Sequence, residues 1–233
     1  MSRSSDLAAL AALLADDTRA RFCLALLDGR AWTASELAAH ATVAASTASE
    51  HLGRLIGGGL LVERRQGRHR YVQLAGPREA ELIEGLVAHL EPRGQRPATL
   101  RTSRAAEALA RGRTCYDHLA GRLGVALTDA LTDRGLLDRT AGFALTTAGV
   151  EWLTGPLAVA PEDLRGRRPL AKECLDWTER RSHLAGLAGA RLCERLLARG
   201  WVKRIGTQRA VTVTPEGTDA LRLLLDLDPA SLS

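Results

Sequence analysis

The sequence predicts a mainly α protein with small β-hairpins, an α+β chain of two domains. Alanine and leucine recur at helical spacing along most of the 233 residues, and aromatic residues make up only 3% of them. Short alternating stretches interrupted by glycine predict the few strands. A repeat within the second half predicts that this half consists of two related units.

Four helices are predicted before the first hairpin. Apolar periodicity covers residues 6–14 and 17–28. A third helix, over 33–41, opens with Thr33 followed three residues later by Glu36, the spacing of a capping box. A fourth helix ends at the glycines 57–59 and should turn an apolar face inward, comprising Ala48, Leu52, Leu55 and Ile56.

A hairpin and a fifth helix complete the N-terminal domain, residues 1–91. Strands are predicted at 60–65 and 69–74, with Gly67 in the turn, and a helix is predicted at 77–91. Four helices, a hairpin and a helix in this order are typical of a winged helix-turn-helix. The third and fourth helices would form the helix-turn-helix, and the hairpin would be the wing.

The fourth helix and the wing carry side chains suited to DNA. A helix that enters the major groove needs short polar side chains near its start. The wing has arginines, whose planar forks suit phosphate oxygens, and against Glu63 they give it a local charge of +3. The predicted DNA-binding residues are Ser46, Thr47, Ser49, Glu50 and Arg54 on the helix, and Arg64, Arg65, Arg68 and Arg70 on the wing.

The stretch VAASTASEHLGRLIGGGLLVERRQGRHRYVQL resembles the ArsR family of bacterial winged-helix regulators. The resemblance covers about residues 6–91 and includes the S-T-x-S-x-H-L, L-x-x-x-G-L-V and R-x-G-R-x-x-x-Y-x-L elements of that family or close variants of them. It implies a homodimer, formed by the first and last helices of the domain, that represses transcription from a palindromic operator. The family's usual serine at the start of the fourth helix is Ala44 here, and Glu50 is an acid that would face DNA.

Residues 92–104 are predicted to be a linker, because proline, arginine and small polar residues dominate them. The C-terminal domain, 105–233, repeats itself at about 115–153 and 174–221. HLAGRLGVAL at 118–127 matches HLAGLAGARL at 183–192, and each copy is predicted to consist of two helices, a glycine turn, two strands and a last helix that opens at T-x-x-G. We interpret the copies as degenerate winged-helix-like units with an effector-sensing or dimer-stabilising role.

The metal sites usual in the family are not matched, since its cysteine pair is replaced by ELAAHAT. In the repeats, CYDH would place Cys115 and His118 on one helical turn, and Cys174 recurs in CLDW. We interpret these residues as helix packing and predict no cofactor. The alternative is a metal, haem or thiol-redox sensor that uses Cys115, His118 and Cys174, with His183 as a further candidate ligand.

Composition limits the remaining classes. The net charge of +5 mildly favours an acidic partner such as nucleic acid. We find no phosphate-binding glycine loop or hydrolase motif, no membrane-spanning run and no signal peptide. The sequence therefore predicts a cytoplasmic, non-enzymatic regulator that binds operator DNA and itself, with a small-molecule effector left open. A protein-binding winged helix that does not contact DNA is a further alternative.

Overall fold

The computed structural model describes residues 2–66, 69–90, 100–205 and 209–227. The chain divides into two compact units, Met1–Ile83 and Glu84–Ser233, and the boundary falls inside the fifth helix. In the described ranges, no helix is both long and apolar enough to cross a membrane.

The first unit contains the predicted helices and hairpin. A short strand that the sequence did not predict adds to the hairpin, so the sheet order is β1-β3-β2 with antiparallel pairing. The elements are α1 (Arg3–Leu14), α2 (Asp17–Leu26), β1 (Trp32–Thr33), α3 (Ala34–Ala41), α4 (Ala45–Gly57), β2 (Leu61–Gln66), β3 (His69–Leu74) and α5 (Pro77–Ala88). The predicted winged helix-turn-helix is confirmed.

The helix-turn-helix forms as its local signals predict. The Thr33 and Glu36 capping box opens α3, with both of its hydrogen bonds present. Thr42 ends this helix in the left-handed region at φ 59°, and the next amide, that of Val43, donates to the carbonyl of Ala38 at 3.0 Å. The inward face of α4 is also confirmed: Ala48, Leu52 and Leu55 are buried and Ile56 is half-buried.

Arg19 fixes the position of α1 against α2 and α4. It is only 7% exposed, and its guanidinium donates to the carbonyls of Ala12 and Leu13, which the end of α1 leaves without helical partners. It also lies 3.2 Å from Nδ1 of His51 on α4, whose ring contacts Asp16, the N-cap of α2. One buried arginine thus connects three helices.

The second unit has two copies of one pattern, each a hairpin, a helix, a second hairpin and a final helix. The first copy, preceded by α6 (Leu100–Arg111), has β4 (Arg113–Cys115), β5 (His118–Ala120), α7 (Gly121–Asp133), β6 (Leu137–Asp138), β7 (Ala144–Leu145) and α8 (Thr147–Thr154). After a 3-10 turn at Pro161–Leu164, the second has β8 (Lys172–Leu175), β9 (Ser182–Ala185), α9 (Gly186–Ala198), β10 (Val202–Arg204), β11 (Val211–Val213) and α10 (Pro215–Leu225).

The copies therefore retain the second half of a winged helix, which is a helix, a hairpin and a helix. The predicted T-x-x-G helix starts are confirmed, because Thr146 and Thr214 each accept a hydrogen bond from a glycine amide, Gly149 and Gly217, at 3.0 Å. The predicted first helix of each copy is wrong: a β-hairpin stands there. Helix α6 also begins at Leu100, inside the stretch predicted as a linker.

Candidate DNA interface and metal centre

Helix α4 presents polar side chains at its exposed N-terminal end. Ser46, Ser49 and Glu50 are exposed and Thr47 is half-buried, on the side opposite the buried Leu52 and Leu55. Ala44 is the N-cap and provides no side-chain hydrogen bond, so the first amides of α4 stay available to an acceptor. This end of α4 therefore has the polarity that a major-groove helix needs.

Glu50 and Arg54 form an ion pair along α4. Arg54 Nη2 donates to Glu50 Oε1 at 2.8 Å, and both side chains are more than half exposed. An exposed pair at this spacing contributes little stability. The pair instead fixes the orientation of Arg54, because the Glu50 carboxylate holds the guanidinium beside it.

The wing is an antiparallel hairpin whose charged residues face solvent. In its register, Arg65 lies opposite Arg70, and Arg64 lies opposite Tyr71. Arg64 and Arg65 are exposed and Arg70 is half-buried. Arg68, predicted as a wing contact, and Gly67 lie outside the described residues.

Glu63 restrains two of the wing arginines. Arg65 Nε donates to Glu63 Oε1 at 3.0 Å, and Arg70 Nε donates to Glu63 Oε2 at 2.7 Å. The hydrogen bond from Arg65, with a smaller contribution from Arg70, outweighs the effect of burial and lowers the pKa of this carboxyl. Glu63 therefore stays ionised and offsets part of the positive charge of the wing.

The second unit brings four candidate residues together. Cys115, His118, Cys174 and His183 each offer one ligand atom, and these atoms all lie within 4.8 Å of one another. The two sulfur atoms are 3.9 Å apart and the two Nε2 atoms are 3.2 Å apart. In the described part of the chain, no other group of three or more Cys, His, Asp or Glu residues has this geometry. We call these four residues the Cys/His centre.

The Cys/His centre is built on strands, and the predicted helix packing is wrong. Cys115 on β4 pairs with His118 on β5, and Cys174 on β8 pairs with His183 on β9. Cross-strand partners share one face of a hairpin, so each copy delivers one sulfur and one imidazole to the same side. The predicted single helical turn is instead a tight turn between strands, with Tyr116 at φ 60°.

Two helix glycines lie against the preceding strand of their own copy and close to the histidine of the other copy. A Cβ on Gly124 of α7 would lie 2.4 Å from the carbonyl oxygen of Leu119 and 3.6 Å from His183 Cβ. A Cβ on Gly189 of α9 would lie 2.4 Å from the carbonyl oxygen of Leu184 and 3.3 Å from His118 Cβ. The helix of each copy thus passes closely over the histidine of the other.

A carboxylate lies beside each histidine, and neither was predicted from the sequence as a site residue. Nδ1 of His118 is 3.2 Å from Asp117 Oδ1, and Arg168 Nη2 donates to the same oxygen at 3.1 Å. Nδ1 of His183 is 3.5 Å from Asp176 Oδ2. The two aspartates occupy the same place in the Cys-x-Asp of each copy, a signal that the repeat already contained.

Asp176 is the better held of the two carboxylates. Arg113 Nη2, itself fully buried, donates to Asp176 Oδ2 at 2.9 Å, and the Gly121 amide donates to the same oxygen at 2.6 Å. The other oxygen accepts from the Thr178 amide and hydroxyl at 2.8 and 2.6 Å and from the Glu179 amide at 3.0 Å. Although burial opposes it, Arg113 holds the pKa of Asp176 well below its usual range.

The ionisation of the centre differs from that of ordinary buried side chains. Burial alone would lower the pKa of His118, but the hydrogen bonds with Asp117 and Cys174 outweigh it and raise the pKa to about 9. The contact with Cys115, followed by those with His118 and His183, holds the pKa of Cys174 well below its usual value despite burial. The same sulfur contact, with burial, raises the pKa of Cys115.

Cys23 and Cys193 behave as the composition predicts for buried cysteines. Each is at most 3% exposed, and burial raises the pKa of each thiol to about 12. Two of the four cysteines are therefore core residues, while the other two face histidines.

A pocket of about 250 Å³ lies between the two copies, lined by Arg111, Gly112, Leu123, Ile205 and Val211–Val213. It is smaller than the roughly 300–1,000 Å³ usual for ligand pockets. Only a small effector would fit there.

The comparisons with known proteins concern both units. A protein-family model described as a helix-turn-helix domain matches residues 14–64. YdfF of Bacillus subtilis (strain 168), an uncharacterized HTH-type transcriptional regulator, is 37% identical over 224 residues, which cover 95% of this chain and 98% of YdfF. The HTH-type transcriptional regulator CmtR of Mycobacterium tuberculosis (strain H37Rv) is 42% identical over 85 residues, which cover 36% of this chain and 71% of CmtR.

One solved structure is a homodimeric winged helix-turn-helix DNA-binding domain of Mb0332 from Mycobacterium bovis, a possible ArsR-family transcriptional regulator. It is 32% identical, with a TM-score of 0.34, and the match covers 38% of this chain and 84% of that one. The near full-length match to YdfF extends through the repeats, and the motifs of α4 and the wing stand on a winged helix-turn-helix. The chain therefore belongs to the ArsR family of DNA-binding, helix-turn-helix transcriptional regulators.

Proposed function

We propose that the protein is a homodimeric repressor that binds a palindromic operator and is released from it by a signal. The observation that carries this proposal is the joint exposure of the polar start of α4 and of the wing arginines on one winged helix-turn-helix. Helix α4 would enter the major groove, with Ser46, Thr47, Ser49 and Glu50 at the base edges and Arg54 at a phosphate or guanine.

The wing would bind the DNA backbone. Arg64 is exposed, and Arg65 and Arg70 would exchange Glu63 for phosphate oxygens. Such contacts position a protein on DNA without reading its sequence, so specificity would come from α4. Arg68, predicted from the sequence as a wing residue, belongs to the same proposed surface.

The proposed dimer uses α1. The described residues of this helix include no buried side chain, although two thirds of them are alanine or leucine, and Leu7 is 67% exposed. Burial of an apolar helix face by a second copy removes this exposed surface from water. A twofold dimer presents two copies of α4, which accounts for a palindromic operator.

The oligomeric part is tested with Leu7→Asp and native mass spectrometry. We expect a dimer for the unmodified protein and a monomer for the variant. Leu223→Asp on α10 is the matched control, because Leu223 is 82% exposed and should leave the dimer unchanged. A monomeric unmodified protein, or equal behaviour of the two variants, would contradict the proposed interface.

Repression is tested with a reporter gene placed behind the DNA upstream of the protein's own gene. Expression of the protein should lower reporter output, and Arg64→Ala with Arg65→Ala should restore it. Arg222→Ala is the control, since Arg222 is an exposed helix arginine in the second unit that also pairs with an acid. Unchanged or increased output on expression of the unmodified protein would refute repression at this promoter.

A further inference from the structure

We propose that Cys115, His118, Cys174 and His183 form a closed tetrahedral site for one Zn²⁺ ion, which joins the two copies of the second unit. The proposal concerns a different part of the chain from the DNA interface. It does not depend on repression.

The spacing of the donor atoms matches a tetrahedral zinc ion. Zn–S bonds of about 2.3 Å and Zn–N bonds of about 2.0–2.1 Å give tetrahedral edges of about 3.8 Å between sulfurs and about 3.3 Å between nitrogens. The sulfur atoms of Cys115 and Cys174 are 3.9 Å apart, and the Nε2 atoms of His118 and His183 are 3.2 Å apart. The four donor atoms lie within 4.8 Å of one another, so coordination would draw the most separated pair closer by about 1 Å.

The two imidazoles need a cation between them. Each Nδ1 faces a carboxylate, Asp117 at 3.2 Å and Asp176 at 3.5 Å, so its proton belongs on that side. The two Nε2 atoms face each other in a site where both rings are at most 3% exposed. Two bare acceptors in contact there are costly, so the pair holds either a proton or a metal ion between its nitrogens. A metal ion would replace the proton and bind both Nε2 lone pairs.

The carboxylates have the arrangement that metal-binding histidines use. A carboxylate that accepts a hydrogen bond from Nδ1 of a metal-bound histidine fixes the ring and directs Nε2 to the metal. Arg168 holds Asp117, and Arg113 with the Gly121 amide holds Asp176. Nδ1 of His183 is buried and makes no hydrogen bond with the described residues. A small turn of that ring towards a metal would also bring Nδ1 to Asp176.

The donor set selects the ion. Two thiolates and two imidazoles suit Zn²⁺ and its soft relatives and do not suit Mg²⁺ or Ca²⁺, which prefer oxygen. Two thiolates neutralise the charge of a divalent ion, as a buried site requires. All four positions come from protein, which is typical of structural zinc and leaves none open for a substrate. The donor atoms lie too close together to accept a haem.

The site would bind the two copies into one folding unit. Each copy contributes one cysteine and one histidine from its own hairpin, and Gly124 and Gly189 let the helices of the opposite copies approach. Ligands from separate hairpins converge only in the folded state, so metal binding stabilises that state. The stability of the second unit should therefore depend on zinc.

The test starts with untagged protein purified under reducing conditions without chelator. Elemental analysis should find one zinc ion per chain, and Co²⁺ added after zinc removal should give the visible bands of tetrahedral cobalt together with thiolate-to-cobalt charge transfer. Cys115→Ser with Cys174→Ser should abolish both signals. Cys23→Ala is the control, because Cys23 is a buried cysteine of the first unit, and it should retain both.

The cobalt experiment uses the unmodified chain and does not depend on the folding of any variant. Absence of tetrahedral cobalt bands in reduced protein would overturn the proposal. So would a metal-free protein that contains a Cys115–Cys174 disulfide as isolated. Full metal content in the double serine variant would have the same meaning.

Discussion

The wing and the two hairpins of the Cys/His centre have the same local structure but differ in the burial of their side chains. In all three, antiparallel register places cross-strand partners side by side. In the wing the partners are Arg65 and Arg70, in an exposed strand pair with a single shared acid. In β4–β5 and β8–β9 the partners are a cysteine and a histidine, and three of these four side chains are buried.

Because of this difference in burial, the interactions at the two places should contribute to stability in different ways. Exposed charges interact weakly with one another, are screened by salt and add nearly independently. Buried polar groups depend on every partner, since each unsatisfied group carries its full desolvation cost. Substitutions should therefore act gradually at the wing and steeply in the second unit.

The largest expected effect is that of Asp176→Asn. The change leaves Arg113, which is fully buried, without its counter-charge and should lower the free energy of unfolding of the second unit by about 3–5 kcal/mol. Urea unfolding followed by tryptophan fluorescence measures it, because Trp152, Trp177 and Trp201 all lie in this unit.

Asp129→Asn is the matched control for that variant. Asp129 pairs with two arginines, Arg139 and Arg181, but all three side chains are partly exposed, so we expect a loss of less than about 1 kcal/mol. Equal losses for the two variants would remove the distinction between buried and exposed charge.

Gly124→Ala should have the next largest effect. Its new Cβ would lie 2.4 Å from the Leu119 carbonyl oxygen, so α7 must shift, at a cost of about 1–3 kcal/mol in the second unit. Gly53→Ala in α4 is the control, with no atom within 4 Å of its Cβ, and should stabilise the first unit by about 0.5–1 kcal/mol. Thermal unfolding with a separate transition for each unit measures both, and a neutral Gly124→Ala would contradict the close approach of α7 to the Leu119 carbonyl.

Glu63→Gln should increase DNA affinity by a small factor, about threefold. It releases Arg65 and Arg70 from their shared carboxylate. Fluorescence anisotropy with DNA from the upstream region of the gene measures the change, with Glu216→Gln as a control, because Glu216 is an exposed residue at the start of α10. Weaker binding by Glu63→Gln would mean that the carboxylate orders the wing for DNA.

A comparably small effect is expected for Thr42→Gly. A non-glycine residue in the left-handed region destabilises the fold by about 1–2 kcal/mol, and glycine would remove this strain. Because glycine loses about 0.5–1 kcal/mol more backbone entropy on folding, the net gain in the free energy of unfolding should be about 1 kcal/mol or less. Hydrogen exchange of the α4 amides measures it. Thr42→Ala, which keeps a Cβ at φ 59°, should bring no such gain.

The sequence predicted those parts of the fold that depend on local signals. The capping box at Thr33, the inward face of α4, the wing and the caps at Thr146 and Thr214 each depend on residues a few positions apart. It missed the hairpins β4–β5 and β8–β9, whose strands of three or four residues are too short for alternation to exceed the helical signal beside them.

The centre could not be assembled from spacing, because Cys115 and Cys174 are 59 positions apart and neither belongs to a Cys-x-x-Cys pair. The repeat contained the missing information. If two copies pack around a pseudo-twofold axis, equivalent residues near that axis meet, and Cys115 with Cys174 and His118 with His183 are such equivalents. The Cys-x-Asp shared by the copies indicated the adjacent carboxylates as well.

The central claim is that the regulator binds DNA through α4 and an arginine wing. The salt dependence of DNA binding tests this claim most directly. The logarithm of the affinity for the upstream DNA of the gene should fall linearly with the logarithm of the salt concentration, with a slope of about −0.9 per phosphate contact. Arg64→Ala with Arg65→Ala should reduce the magnitude of this slope by about 2. Binding that is independent of salt, or a double variant with the slope of the unmodified protein, would contradict the account.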